Sequence, residues 1–463
     1  MWKQLKPLKL AVLAVVILSA LFLPAAAEKV EYAVNVHDSG LLKYDVKEVF
    51  VGELRHIIKI TNPTNRGATG VNLYVPIVRN ETARHYTILY SVKPTSEYTL
   101  LVDGSGNIYV CWTNLMIQPR QTFTVELNYR LLSFSLTYTV NSNRIGSYNK
   151  NSELYIKYIQ PEELIQSSHE EIVEKAQEIT QGVEDPYMKA HLIYNFVVSY
   201  LRYEIQEEEK GALWALENGK GDCSEYSYLF VALCRAAGIP ARVQAGFAFH
   251  YAGQVLEDGH MWAEYYLENY GWIPVDATWR LFNAMDNKHF SSIRSIPEAI
   301  PYANYHINST DTTMLLDEQT VQLTNLQQSA FSENVFAKNI TTVVQRIKQA
   351  ETAISIGKIL GASVIFPSET REVEQQLLNA KIHVQNAIDT WETSTQIAGS
   401  NASLALENAE KALYTIWMLI LKVFVLYLGI LGASMLVLLV FIRRSKKSLS
   451  ERVGTSHIAT NYL

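Results

Sequence analysis

Cysteine is scarce in this chain. Its 463 residues hold three, Cys111, Cys223 and Cys234, and so sparse and odd a set excludes a disulfide framework as the source of stability. Cys234 shares a predicted helix with Cys223 but lies about three turns further on, too far to bridge along a rigid helix. It reads as a small core residue. Charge is also thin, at 19% of residues with a formal net charge of −6 and a pI near 6.0. No basic stripe appears outside the C-terminal tail, which argues against a nucleic-acid partner. The histidines show no metal-ligand spacing, so no metal site and no cofactor is expected.

Apolar residues are not scarce. At 48% of 463 residues, they suffice for two or three folded units and a membrane segment. Lys3, Lys6 and Lys9 precede an apolar run from Leu10 to Leu23 that closes on Pro24-Ala25-Ala26-Ala27, the pattern of a secretory signal peptide over residues 1–27. An uncleaved anchor is the alternative, although the run is shorter than the roughly 20 residues a span requires. Either reading puts the next segment outside the cytoplasm. Val423 to Ile442 carries no charge, and at about 1.5 Å per residue it crosses a bilayer core of about 30 Å. Arg443-Arg444-Ser445-Lys446-Lys447 follows at once, so the tail 443–463 is expected in the cytoplasm of a single-pass protein of the cell membrane. Gly429 and Ala433 form a small-residue pair too common in such helices to predict dimerisation. The oligomeric state stays open.

Three further regions lie between these ends. Residues 28–140 read as strands throughout, punctuated by Asn62-Pro63, Arg66-Gly67 and Asp103-Gly104, and their count and spacing fit an immunoglobulin-like β-sandwich. It holds no cluster of titratable residues and reads as a packing or recognition module. Residues 141–318 form the catalytic segment. It begins with helices Ser167 to Thr180, where Ser168 and Glu171 are spaced as a capping box, and Asp185 to Tyr203. Glu207-Glu208-Glu209 reads as a solvated loop. A last strand is expected near Ala303 to Ile307, and Asn308 to Gln319 reads as a polar linker. In 319–412, Phe336, Ile340, Val343, Ile347, Ala350 and Ile354 make one narrow apolar seam. Val373, Leu377, Ala380, Val384, Ala387 and Trp391 make another. Two such helices suggest a hairpin or short coiled-coil stalk, or a helical extension packed on the catalytic domain. The sequons at Asn80, Asn308, Asn339 and Asn401 are near the number expected by chance.

Chemistry concentrates between Gly221 and Thr278. From Ser224 to Ala237 the apolar residues Tyr226, Leu229, Phe230, Leu233 and Ala237 recur at close to 3.6, and Gly238 with Pro240 stops the helix. Cys223 therefore falls in the first turn, where unpaired amides and the helix dipole favour a thiolate. His260 opens a predicted strand, and Asp276 closes its hairpin partner beyond the turn Asn269-Tyr270-Gly271. A thiol nucleophile, an imidazole that carries its proton and a carboxylate that orients the imidazole are the parts of an acyl-transfer enzyme.

These pieces resemble the transglutaminase-like core, a papain-related fold shared by transglutaminases, peptide N-glycanases and many microbial proteins taken to be thiol peptidases. The resemblance rests on Gly221-Asp222-Cys223, on Arg235-Ala236-Ala237-Gly238-Ile239-Pro240-Ala241-Arg242, on His260-Met261-Trp262 and on Trp272 to Asp276. It covers roughly Tyr155 to Thr278. It implies Cys223 as nucleophile, His260 as base and Asp276 as orienting acid. The side chain that completes the oxyanion hole has no assignment, since Trp214 lies upstream at a spacing that does not fit. Trp262, Trp272 and Trp279 are candidates to line an acyl-donor cleft or to serve the core. The fold class expected is thus α+β: an N-terminal sandwich, a papain-like transglutaminase core, a helical stalk and one transmembrane helix. The activity expected is attack on an amide of a protein or peptide substrate through a thioester. Water as acceptor makes a peptidase or amidase, an amine makes a transglutaminase, and a non-catalytic binding scaffold is the remaining class.

Overall fold

The computed structural model describes residues 42–79, 85–95, 98–295, 305–310, 313–331 and 335–456. The expected signal peptide, the sequon at Asn80 and residues 303–304 of the expected last strand lie outside them. The described chain divides into two compact units, one of 42–345 with 381–405 and one of 346–380 with 406–456.

The first unit begins with a long strand, β1 (Tyr44–Thr61), in which Leu54, His56, Ile58 and Ile60 are buried while Arg55 and Lys59 face solvent. That period of two is what a strand with one covered face requires. Five more strands follow: β2 (Ala68–Pro76), β3 (His85–Lys93), β4 (Tyr98–Val102), β5 (Ile108–Ile117) and β6 (Thr122–Tyr138). β6 pairs antiparallel with β1 from Tyr44↔Tyr138 to Thr61↔Thr122, and β3 pairs with the other edge of β6. β5 pairs with β2 and β4 in a second antiparallel sheet. Leu54 and Ile58 of β1, Leu73 of β2, Trp112 of β5 and Leu127 of β6 share one core, so the two sheets bury their apolar faces on each other.

Five helices then precede the third sheet: α1 (Glu153–Ile159), α2 (Glu170–Ile179), α3 (Pro186–Tyr200), α4 (Gly211–Asn218) and α5 (Cys223–Ala236). Asp185 caps α3 by accepting from the amides of Tyr187 and Met188. α2 departs from expectation: it starts at Glu170 after His169, with no side-chain cap, so Ser168 and Glu171 form no capping box. α5 is buried from Glu225 to Arg235 rather than along one face. The cause is packing on all sides, with α2, α3 and α4 around it and sheet strands beneath.

That sheet runs β10-β9-β8-β7-β12, with β7 (Ala241–Ala248), β8 (His260–Leu267), β9 (Gly271–Asp276), β10 (Leu281–Phe282) and β12 (His289–Arg294). β11 (Ala284–Met285) instead joins β6. Phe247 and Phe249 near the end of β7, with Phe290 on β12, enter the core of the N-terminal sheets. His85 accepts from the amide of Ser291 at 3.1 Å, and the amide of Arg79 donates to the Ser291 carbonyl at 3.1 Å. The N-terminal sheets therefore buttress the strand that carries His289.

Residues 306–325 correct the linker expectation. β13 (His306–Ser309) pairs with β2 and β14 (Leu316–Asn325) pairs with β1. The chain thus returns to the N-terminal sheets after residue 305, and Asn308, Asp317 and Glu318, read as linker, are exposed positions of these two strands. Residues 319–325, expected in the stalk, belong instead to β14.

The helices α6 (Val335–Ile359), α7 (Pro367–Thr390) and α8 (Thr395–Ser456) complete the chain. Every residue of the two apolar seams is buried. Gly361 adopts φ +84°, the left-handed conformation that ends a helix without a Cβ penalty. In the second unit Lys358 pairs with Glu374 at 2.8 Å, and Tyr427 donates to the carbonyl of Leu360 at 2.8 Å. α8 contains the uncharged run 423–442, with Phe424, Leu431, Leu436, Val437 and Phe441 exposed, and is long and apolar enough to cross a membrane.

Candidate active site

The N-terminus of α5 is fixed by a reciprocal cap. Asp222 accepts from the Ser224 amide at 3.0 Å, and the Glu225 carboxylate returns to the Asp222 amide at 3.1 Å. A Cβ on Gly221 would stand 2.3 Å from that of Glu225, so only glycine lets Glu225 fold back. Asp222 and Glu225 thus form an Asp-x-x-Glu capping box beside Cys223, of the kind that Ser168 and Glu171 do not make. Cys223 is the first residue of the helix, half-buried and free of any disulfide. Cys111 and Cys234 are free and buried, and burial pushes the Cys111 thiol up to about 11 and the Cys234 thiol well above its ordinary value.

Cys223 opens on a cavity of about 680 Å³ shared with His260. His260 and Asp276 sit on paired antiparallel strands, both at the open end of the β8–β9 hairpin, with Ala263 opposite Val275. His260 Nε2 is 2.7 Å from Asp276 Oδ2, and the ring also hydrogen-bonds the Cys223 side chain. With Nε2 given to the carboxylate, Nδ1 is the nitrogen left for the thiol. Burial lowers the His260 imidazolium, but the hydrogen bonds and charges of Asp276 and Cys223 outweigh it and push the group up to about 9. Asp276 is fully buried, which raises its carboxyl, yet the bonds from His260 and from a second histidine hold it well below the usual carboxylate range. Its Oδ1 accepts from the Trp279 amide at 2.8 Å.

That second histidine is His289, which sequence reading missed. Its Nε2 is 3.2 Å from Asp276 Oδ2, and its Nδ1 is 2.9 Å from Asp286 Oδ1. Nothing in the spacing of residues 276, 286 and 289 marked it; only the sheet register brings it in. His260, Asp276 and His289 offer atoms within 4.8 Å of one another. Hydrogen bonds from both rings to one carboxylate oxygen account for that proximity without an ion.

The three tryptophans separate. Trp279 stacks on His250 at 4.4 Å and lines cavities beside His260. Trp262 is buried, its ring edge-on to His289 at 5.3 Å. Trp272 holds the Arg242 guanidinium over its face at 4.0 Å, a structural contact. Trp214 pairs with Lys220 at 5.8 Å and lines none of the described cavities, so it supplies no oxyanion donor there. Glu207, Glu208 and Glu209 lie in an exposed loop, as expected, and Glu209 also accepts from Tyr228 and lines the Cys223 cavity. Asp222, Glu257, Asp258 and Asp317 join it there, with no lysine or arginine among the described lining residues.

Residues 173–277 match the sequence profile of the Transglutaminase-like superfamily. A protein-glutamine gamma-glutamyltransferase of Pseudomonas aeruginosa is 31% identical over 118 residues, which cover 23% of this chain and 18% of that protein. The uncharacterized protein YebA of Bacillus subtilis is 24% identical over 224 residues, 43% of this chain and 30% of that one. The chain thus spans less than a third of either relative's length. A solved structure of a candidate cysteine protease from Cytophaga hutchinsonii aligns with a TM-score of 0.47 at 19% identity, over 61% of this chain and 93% of that one. Over residues 173–277 the chain carries a domain of the transglutaminase-like superfamily.

Proposed function

We propose that this domain is a thiol enzyme that acts on amide bonds, with Cys223 as nucleophile, His260 as its acid–base partner and Asp276 as the group that orients His260. The observation that carries the reading is the chain of contacts from Cys223 through the His260 ring to the buried Asp276 carboxylate, opening on a 680 Å³ cavity. The Cys223 thiol first gives its proton to His260, and the resulting thiolate attacks the amide carbonyl. The oxyanion develops beside the Cys223 amide at the helix N-terminus, a donor matched to that charge. Collapse breaks the C–N bond, and His260 returns the proton to the leaving amine. Water reaches the half-exposed thioester, gives a proton to His260 and releases the acid, which makes the enzyme a peptidase or amidase.

Transamidation is the second reading, and the five carboxylates lining the cavity favour it, because they suit a cationic amine as acceptor. The name of the Pseudomonas relative is consistent with it. Dimethylated casein incubated with the full chain, with and without a dansylated primary amine, separates the two. New peptide termini or glutamine deamidation support hydrolysis, and dansyl incorporation supports transfer. If wild type and Cys223→Ala give the same products, the enzymatic reading fails and a binding scaffold takes its place.

The two N-terminal sheets are assigned as an immunoglobulin-like sandwich, α6 and α7 as a stalk, and residues 1–27 as a signal peptide. Val423 to Ile442 is assigned as the span that leaves the catalytic domain outside the cytoplasm and the tail inside. The basic cluster Arg443 to Lys447 supports that orientation. Protease protection of the tail in sealed vesicles tests it.

A further inference from the structure

We propose that His289 is a fixed imidazolium that bridges Asp276 and Asp286 and acts as the positioning residue for the His260–Asp276 pair. The inference rests on the reading of Asp276 as the orienting carboxylate, but its own basis is the count of donors and acceptors around one ring.

Both nitrogens of His289 face carboxylate oxygens, Asp276 Oδ2 at 3.2 Å and Asp286 Oδ1 at 2.9 Å. Neither carboxylate is placed as a donor. Asp286 Oδ1 already accepts from the Lys288 amide at 2.7 Å, and Asp276 accepts from the Trp279 amide and from His260. A neutral imidazole has one N–H and one acceptor nitrogen, so it would set a lone pair against a carboxylate oxygen on one side. Only the doubly protonated ring satisfies both. His85 makes the contrast within the same fold. Its Nε2 accepts from the Ser291 amide and must be unprotonated.

The ring has no room to choose another partner. It is buried, with Trp279 edge-on at 4.7 Å, Trp262 at 5.3 Å and His260 at 5.6 Å. Its strand is held from behind by the bonds of His85 and Arg79 to Ser291. The titratable groups that face the assembly are His260 from β8, Asp276 from β9, Asp286 and Lys288 from the turn before β12, and Tyr194 from α3, on which the charge of Asp276 acts. Two cations and two anions thus alternate as His260, Asp276, His289 and Asp286.

Two consequences follow for the reaction. Asp276 is held by donors on both oxygens and cannot turn from His260. It also shares Oδ2 between two cations, so its pull on the His260 proton is tempered. Were Asp276 paired with His260 alone, the imidazolium would hold its proton more tightly and return it to the leaving amine less readily.

The test uses the full chain in detergent, labelled with ¹⁵N in its histidine rings and assigned by single substitutions, over pH 5 to 10. In wild type both His289 nitrogens are expected at protonated shifts at pH 7, with the proton lost near pH 9. In Asp286→Asn the ring should become neutral at pH 7 with the proton on Nε2. In His289→Gln the midpoint of His260 should move upward. A neutral His289 in wild type at pH 7, or a His260 midpoint that stays or falls in His289→Gln, overturns the proposal. The wild-type spectrum decides the charge state even if a variant fails to fold. These spectra need no substrate, so an inactive Cys223 would defeat the proposed function and leave the His289 result standing.

Discussion

Replacing Asp276 by asparagine exchanges one oxygen for an amide nitrogen at a site where both oxygens are committed. Oδ1 receives the Trp279 amide at 2.8 Å, and Oδ2 receives His260 at 2.7 Å and His289 at 3.2 Å. If the asparagine oxygen faces Trp279, its amide group confronts both rings. If it turns, two donors meet at Trp279. In either pose the carboxylate charge that holds the His260 proton is gone, while the burial that opposes that proton remains. The His260 group is pushed from an ordinary 6.5 up to about 9 in the native protein. Without that rise the group returns to 6.5 or below, so at pH 7 its imidazolium share falls from nearly all to about a quarter or less. Iodoacetamide alkylation of Cys223 at pH 7, followed by mass spectrometry, should therefore slow at least several-fold in Asp276→Asn, with Cys111 and Cys234 slow in both proteins. Equal rates at Cys223 in variant and wild type would refute the reasoning, because Asp276 would then not govern the thiol's partner.

Three further outcomes are expected. His260 and His289 are both raised from 6.5 to about 9 on folding, so their stabilisation is complete below pH 6.5 and is lost as pH rises through 9; the thermal midpoint should fall between pH 7 and 10, and a flat or rising midpoint contradicts this. Glu264 accepts from Arg242 Nε at 2.8 Å and from Gln244 at 2.7 Å inside the sheet, so Glu264→Ala should cost ~3–5 kcal/mol in urea unfolding, and Arg242→Met with Glu264→Leu less than that. A Cβ on Gly246 would stand 2.0 Å from the Phe290 carbonyl, so Gly246→Ala should cost about 3 kcal/mol by forcing β7 from β12; unchanged stability would show that the two strands tolerate separation.

Much of the site was legible because its parts are local. Cys223 stands at a helix start, His260 at a strand start and Asp276 at a strand end, each marked by its own turn or stop residues, and the structure brings all three to one place. The two helical seams were legible for the same reason, since a 3.6 period is written into one segment. What escaped was set by pairing across distance. β13 and β14 join β2 and β1 more than two hundred residues away in sequence, and their short, polar sequences give no local sign of those partners. His289 reaches Asp276 only because β12 adds to the edge of β7, a register no local spacing encodes. Glu209 is the exposed loop residue expected, but its bond from Tyr228 on α5 depends on a contact that its acidic neighbours do not announce.

The central claim is that Cys223 forms a thioester whose formation and breakdown depend on His260. The most direct measurement is acylation of the full chain by p-nitrophenyl acetate, followed as p-nitrophenolate release and located by mass spectrometry. A burst is expected with the acetyl group on Cys223, labile to hydroxylamine, absent in Cys223→Ala and slowed by orders of magnitude in His260→Ala. No burst, acetylation spread over other residues, or the same burst in His260→Ala would contradict it.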